Sequence, residues 1–112
     1  MKELQKYIEL CWQCRHECQK TLFNHSLKVG GDHLASEHVK IMEDCIQICQ
    51  ATADTMVRQS PLYPDFCRVC ASTCEACADS CDDLTGEAIE NCASICRACA
   101  SSCGELANSM QK

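Results

Sequence analysis

The chain has 112 residues, a formal charge of −6 and fourteen cysteines, with only four glycines, two prolines and 4% aromatic residues. That length suits one domain, residues 1–112, built from four helices of about 20 to 25 residues, and it is short for a second core. Few turn formers, no strand-like alternation and an acidic balance exclude a sheet protein and a general nucleic-acid binder. No basic patch is richer than Lys2 and Lys6, and no aromatic platform stands beside one.

The first helix is expected over roughly 2–27, stopped by Gly30-Gly31, with Cys11, Cys14 and Cys18 on one face. Continuing that face outward reaches Tyr7 and Leu4 at one end, and Thr21 and His25 at the other. Its start, MKELQKYIELCWQCRHE, is charged at Lys2, Glu3, Lys6 and Glu9 and has no apolar core followed by a cleavage-like site. Neither a signal peptide nor a membrane span is therefore expected, and a cytoplasmic location with reduced thiols follows despite the even cysteine count.

Asp32 suits the N-cap of a second helix over roughly 32–59, closed by Ser60-Pro61. Only Cys45 and Cys49 lie on its seam, extended by His38 and Met42 on one side and by Thr52 and Met56 on the other. The turn Ser60-Pro61-Leu62-Tyr63-Pro64-Asp65 starts a third helix over roughly 62–84, where Pro is tolerated in the first turn and Asp65 suits the positive dipole end.

Here the chain reads CRVCASTCEACADSC, with Cys67, Cys70, Cys74, Cys77 and Cys81 at steps of three, four, three and four. A mean step of about 3.5 keeps all five on one helix face, while Arg68, Ser72, Glu75, Asp79 and Asp82 take the other. Thr85-Gly86 separates a fourth helix over roughly 86–110, with Cys92, Cys96, Cys99 and Cys103 in the same rhythm and Ile89, Leu106 and Met110 as extensions. CASTCEACADSC and CASICRACASSC are close enough to suggest a duplicated helical unit. Short connections fold four such helices as an antiparallel up-down-up-down four-helix bundle with a cysteine-lined core. Ile8, Leu22, Ile41, Ile48, Val69 and Ile95 flank the seams and supply packing between helices or between subunits.

A core meant only to be buried would use Leu and Ile, since each methylene removed from water contributes about 0.8 kcal/mol. Disulfides do not fit within a seam: neighbours on one helix have Cβ atoms about 5 to 6 Å apart, against about 3.8 Å in a disulfide. Zinc and iron-sulfur sites bend the chain around the metal, whereas this chain continues helically through every C-x-x-C, and each Zn(Cys)4 site would leave a net charge of about −2 in the core. Cu(I) avoids that cost, because each thiol that loses a proton and gains one Cu(I) stays formally neutral, and thiolate is the soft ligand that selects it. Charge neutrality sets the expected capacity near one Cu(I) per cysteine, about 14 per chain.

The ladders CRVCASTCEACADSC and NCASICRACASSC, with the turn SPLYPDFC, resemble the cytosolic branch of the bacterial copper storage proteins over nearly the whole chain. The resemblance implies a four-helix bundle, a homotetramer, and Cu(I) held by Cys11, Cys14, Cys18, Cys45, Cys49, Cys67, Cys70, Cys74, Cys77, Cys81, Cys92, Cys96, Cys99 and Cys103. A copper chaperone or a low-molecular-weight thiol would be donor or acceptor. Tyr7, Thr21, His25, His38 and Ile89 stand where an unbroken ladder would put further cysteines, so the capacity falls below that of a fully lined member.

His25 and His38 are candidate accessory ligands near one bundle end, and Met42, a candidate accessory ligand, could like Met56 hand over Cu(I) through its thioether sulfur; His16 and His33 fall off the seam. No nucleophile, base and orienting group pair by motif, so no enzyme is expected. Two rivals remain open: a thiol redox or oxidant-sensing protein using cross-helix disulfides, which needs an accessible thiol of depressed pKa, and a zinc or iron-sulfur binding module.

Overall fold

The computed structural model describes residues 3–109, so Lys2 and Met110 lie outside the described residues. α1 runs over Gln5–Lys20, continues without a break as a π-helical turn over Thr21–Ser26, and ends as Leu27–Val29. A 3-10 turn, Gly31–Leu34, leads into α2 (Ser36–Val57), and α3 (Tyr63–Asp82) and α4 (Glu87–Ser109) follow. Among the described residues there is no strand. Each helix packs against its neighbours in chain order and α4 returns to α1, which closes an antiparallel bundle with principal extents of 46 × 21 × 21 Å.

Local chemistry explains most of these boundaries. Pro64 sits in the first turn of α3 and Asp65 beside it pairs with Arg68, while Glu87 and Glu90 occupy the first turn of α4, where the helix dipole favours negative charge. Gln59, in the left-handed region at φ 52°, turns the chain out of α2, and Ser60 N–H reaches back to the Thr55 carbonyl at 2.9 Å. On the outer surface Arg97 of α4 donates to Asp79 at 3.3 Å and to Asp82 of α3. That network is exposed and contributes little to stability.

Asp32 does not cap α2. It lies inside the 3-10 turn, and Ala35, with extended backbone at φ −57° and ψ 137°, stands at the helix start. Two successive left-handed residues, Gly30 at φ 72° and Gly31 at φ 57°, reverse the chain so sharply that a short 3-10 turn fits before the helix can begin.

The core follows the seams. Fourteen cysteines share it with seven larger apolar side chains, Ile8, Leu22, Met42, Ile46, Met56, Ile89 and Leu106, and with five alanines. Of the flanking residues, Ile8 and Leu22 are buried and Ile41, Ile48 and Ile95 pack half-buried against the core, whereas Val69 faces outward.

Candidate metal centre

Four helices repeating cysteine at a mean of 3.5 residues and facing one axis must bring sulfur to sulfur. Every one of the fourteen thiols is free and no more than 1% exposed. Their contacts cross between helices: Cys14 Sγ of α1 lies 3.9 Å from Cys45, 3.9 Å from Cys74 and 3.8 Å from Cys96, one on each other helix. Cys18 stands 3.5 Å from both Cys92 and Cys96, Cys49 is 3.7 Å from Cys74, and Cys11 is 3.7 Å from Cys103.

Three four-thiol groups result, in each of which all the sulfurs lie within 4.8 Å of one another: Cys11, Cys70, Cys99 and Cys103; Cys14, Cys49, Cys74 and Cys99; and Cys14, Cys18, Cys45 and Cys96. Spacings near 3.8 Å also suit a tetrahedral zinc with Zn–S of about 2.3 Å. The sharing argues against separate zinc sites. Cys99 belongs to the first and second groups and Cys14 to the second and third, so the groups form one connected column that needs bridging thiolates. Charge points the same way, because no lysine or arginine is buried among the described residues to offset a surplus of thiolate.

Protonation in the column is collective. Thiol hydrogen bonds, first those with Cys14 and Cys45, and then burial push Cys18 and Cys74 above the ordinary thiol value. Bonds from neighbouring thiols, first Cys14 and Cys18, hold Cys45 below it, and Cys92 is lowered first by Cys18 and Cys77. The same neighbour bonding holds Cys14, Cys70 and Cys99 below the ordinary value, and all five thiols that favour the thiolate are 0% exposed, so they lack the access that an oxidant-sensing cysteine needs.

The two ends of the column differ. At the end formed by the start of α1 and the end of α2, apolar Ile8, Met56 and Leu106 close the core, and the buried hydroxyls Thr52 and Thr55 donate to the carbonyls of Phe66 and Thr52 at 3.3 and 2.7 Å. At the opposite end Leu22 and Ile89 are buried together with a set of polar groups. Thr21 Oγ1, Ser26 Oγ, His25 Nε2, His33 Nδ1 and His38 Nε2 are all buried there with no hydrogen-bond partner in the protein.

His38 and Met42 lie on the α2 seam as expected, 5% and 0% exposed. His38 Nδ1 shares a hydrogen bond of 2.7 Å with Ser80 Oγ. Burial, followed by the nearby His33, keeps its imidazole below the ordinary histidine value, so the ring is neutral at pH 7. His25 departs from the expected seam. The π turn, with its i to i+5 bonding, moves the buried line to Leu22 and Ser26, and the half-buried His25 ring meets His33 edge-on at 5.2 Å. A Cβ on Gly86 would stand 3.6 Å from His25 Nε2, so the connection between α3 and α4 closes over the same ring. His33, off the helical seam, is nevertheless 8% exposed, because the 3-10 turn folds it inward. His16 is exposed and Met56 sits at the apolar end, away from the histidines.

Comparison with known proteins follows the sulfur. The sequence model of the copper storage protein family (Csp) matches residues 1–108. The chain belongs to that family. The Nmul_A1745 protein from Nitrosospira multiformis is 39% identical and superposes with a TM-score of 0.90 over 94% of each chain. Cu(I)-bound copper storage protein BsCsp3 is 28% identical, with a TM-score of 0.87 over 93% of this chain and 97% of its own. An uncharacterized cysteine-rich protein, YhjQ, of Bacillus subtilis (strain 168) is 28% identical over 81 residues, 70% of this chain and 75% of its own. Within the copper storage protein family, then, this member carries its thiols as one shared column, with unpartnered histidines and hydroxyls gathered at one end of it.

Proposed function

We propose that this chain stores Cu(I) in its core, about one ion per cysteine, with all fourteen cysteines as ligands and residues 1–112 acting as one domain. The connected column through Cys14 and Cys99, in a core without a buried lysine or arginine, carries this reading. It calls for a thiophilic ion of single positive charge and for thiolates that bridge, and the solved relative BsCsp3 is a Cu(I)-bound protein. His25, His38 and Met42 are accessory ligands at the polar end in this reading, with His33 added to them by its burial against His25.

Storage without catalysis, a cytoplasmic location and supply by a copper chaperone or a low-molecular-weight thiol complete the proposal. No helix among the described residues is long and apolar enough to cross a membrane. Assembly as a homotetramer is supported by the large apolar side chains left on the surface, Trp12, Phe23 and Val69 among them.

The test is anaerobic titration of the fully reduced protein with Cu(I), followed by ultraviolet thiolate-to-copper absorption and by metal analysis after gel filtration with a competing chelator. The expected break lies near one Cu(I) per cysteine, with about one proton released per ion, and the eluting species is larger than a monomer. Saturation at one to four ions, or loss of copper to a weak chelator, would refute storage.

A further inference from the structure

Loading a sealed core requires a way in, and the bundle wall at the polar end carries a groove. It lies between α2 and α3, has a volume of about 500 Å³ and is lined by Asp32, Glu37, His38, Asp79, Ser80 and Asp83 together with four apolar side chains, with no lysine or arginine in its wall. Arg97 satisfies Asp79 from outside, but Asp32, Glu37 and Asp83 make no ion pair among the described residues. The inner wall is His38, tied to Ser80 through Nδ1 and leaving a buried Nε2 with no partner. Behind it the α2 seam continues through Met42 to Cys45, both fully buried. His38 thus stands between a negatively charged groove and the α2 seam that leads to the sulfur column.

We propose that this lateral groove is the port through which copper enters, and that it admits Cu(I) as a cation and disfavours anionic thiolate complexes. Carboxylates around a concave site raise the local concentration of cations and lower that of anions. The ligands then soften with depth: carboxylate at the rim, imidazole at the wall, thioether at Met42, and thiol at Cys45. At the last stage a thiol S–H gives up its proton as the S–Cu bond forms, with no change in oxidation state. A donor suited to the groove presents its copper from a basic face, which favours a carrier protein over a small anionic thiol. This inference rests on the copper reading above.

The test measures initial uptake by anaerobic stopped flow into the reduced full chain, from the tetrakis(acetonitrile) Cu(I) cation and, separately, from anionic Cu(I)-glutathione. The double substitution Glu37→Gln/Asp83→Asn should slow uptake from the cation by roughly 3- to 10-fold at low ionic strength. The difference should vanish in concentrated sodium nitrate, and uptake from the anionic complex should be unchanged or faster. Asp32→Asn gives a second, single-site check in the same direction. Glu3→Gln/Glu105→Gln removes the same charge at the apolar end and should leave both rates unaltered.

Equal slowing from both sources, no slowing from the cation, or the same slowing in the Glu3/Glu105 control would overturn the port. So would a lower final copper content in the Glu37/Asp83 variant, which would place those carboxylates in the store itself. A protein that takes up no Cu(I) from either source fails the storage reading; one that fills at the same rate in every variant fails only this proposal.

Discussion

Filling the core with Cu(I) is expected to raise the melting temperature by at least about 20 °C. The reduced core is weak for its size, because well over half of its buried positions are cysteine or alanine and only seven carry a larger apolar side chain. Each independent site occupied at a hundredfold excess over its dissociation constant adds about 2.7 kcal/mol to the folded state. Four such sites already add about 11 kcal/mol, as much as the whole stability of an ordinary domain. For a domain of this length each kcal/mol moves the midpoint by several degrees, about 4 to 8 °C at the smaller end of the range. Calorimetry of the reduced protein with and without copper measures the difference. A shift below about 5 °C would mean that copper binds at the surface or equally well to the unfolded chain.

The second large effect concerns which thiol is removed. Replacing Cys14 by Ala is expected to remove about two Cu(I) ions or more, and Cys99→Ala the same, because each belongs to two four-thiol groups at once. Cys14 also touches one thiol on every other helix, so its loss cuts the column at a junction. Cys67 belongs to none of the three groups, and Cys67→Ala should remove about one ion. Copper content after gel filtration reads both, and equal losses from all three variants would show that the ions sit in independent sites.

How far the sequence reveals this arrangement depends on which end of the bundle is considered. Along the middle, a step of three and four repeated in Cys67, Cys70, Cys74, Cys77 and Cys81 leaves a helix only one way to face, and the structure buries every one of them. The connected clusters are less visible, since the overlap at Cys14 and Cys99 depends on axial stagger between helices, which short loops set and spacing does not encode. The polar end is hardest to read. One additional residue in the π turn at Thr21–Ser26 shifts the buried line from His25 to Ser26, and periodicity assumes that no such residue exists. His33 falls off any helical seam, yet a 3-10 turn carries it inward. The nearest signal for that turn is Gly30-Gly31, a pair that permits a reversal tighter than an Asp32 cap would need.

The contrast between the two ends has a consequence for the order of traffic. At one end Ile8, Met56 and Leu106 close the core, the hydroxyls of Thr52 and Thr55 are already engaged by backbone carbonyls, and no histidine stands there among the described residues. With loading through the groove, ions would therefore reach the deepest thiols by passing over those nearer the histidines. A column open on one side behaves as a stack: the ion that arrives last leaves first. Copper acquired early is then the least exchangeable, and an isotopically distinct pulse added at the end of loading should be withdrawn ahead of the rest by a chelator. Loaded in this way, the protein would hold two kinetic pools in a single core, a labile fraction near His38 and a reserve near Leu106, without needing two kinds of site.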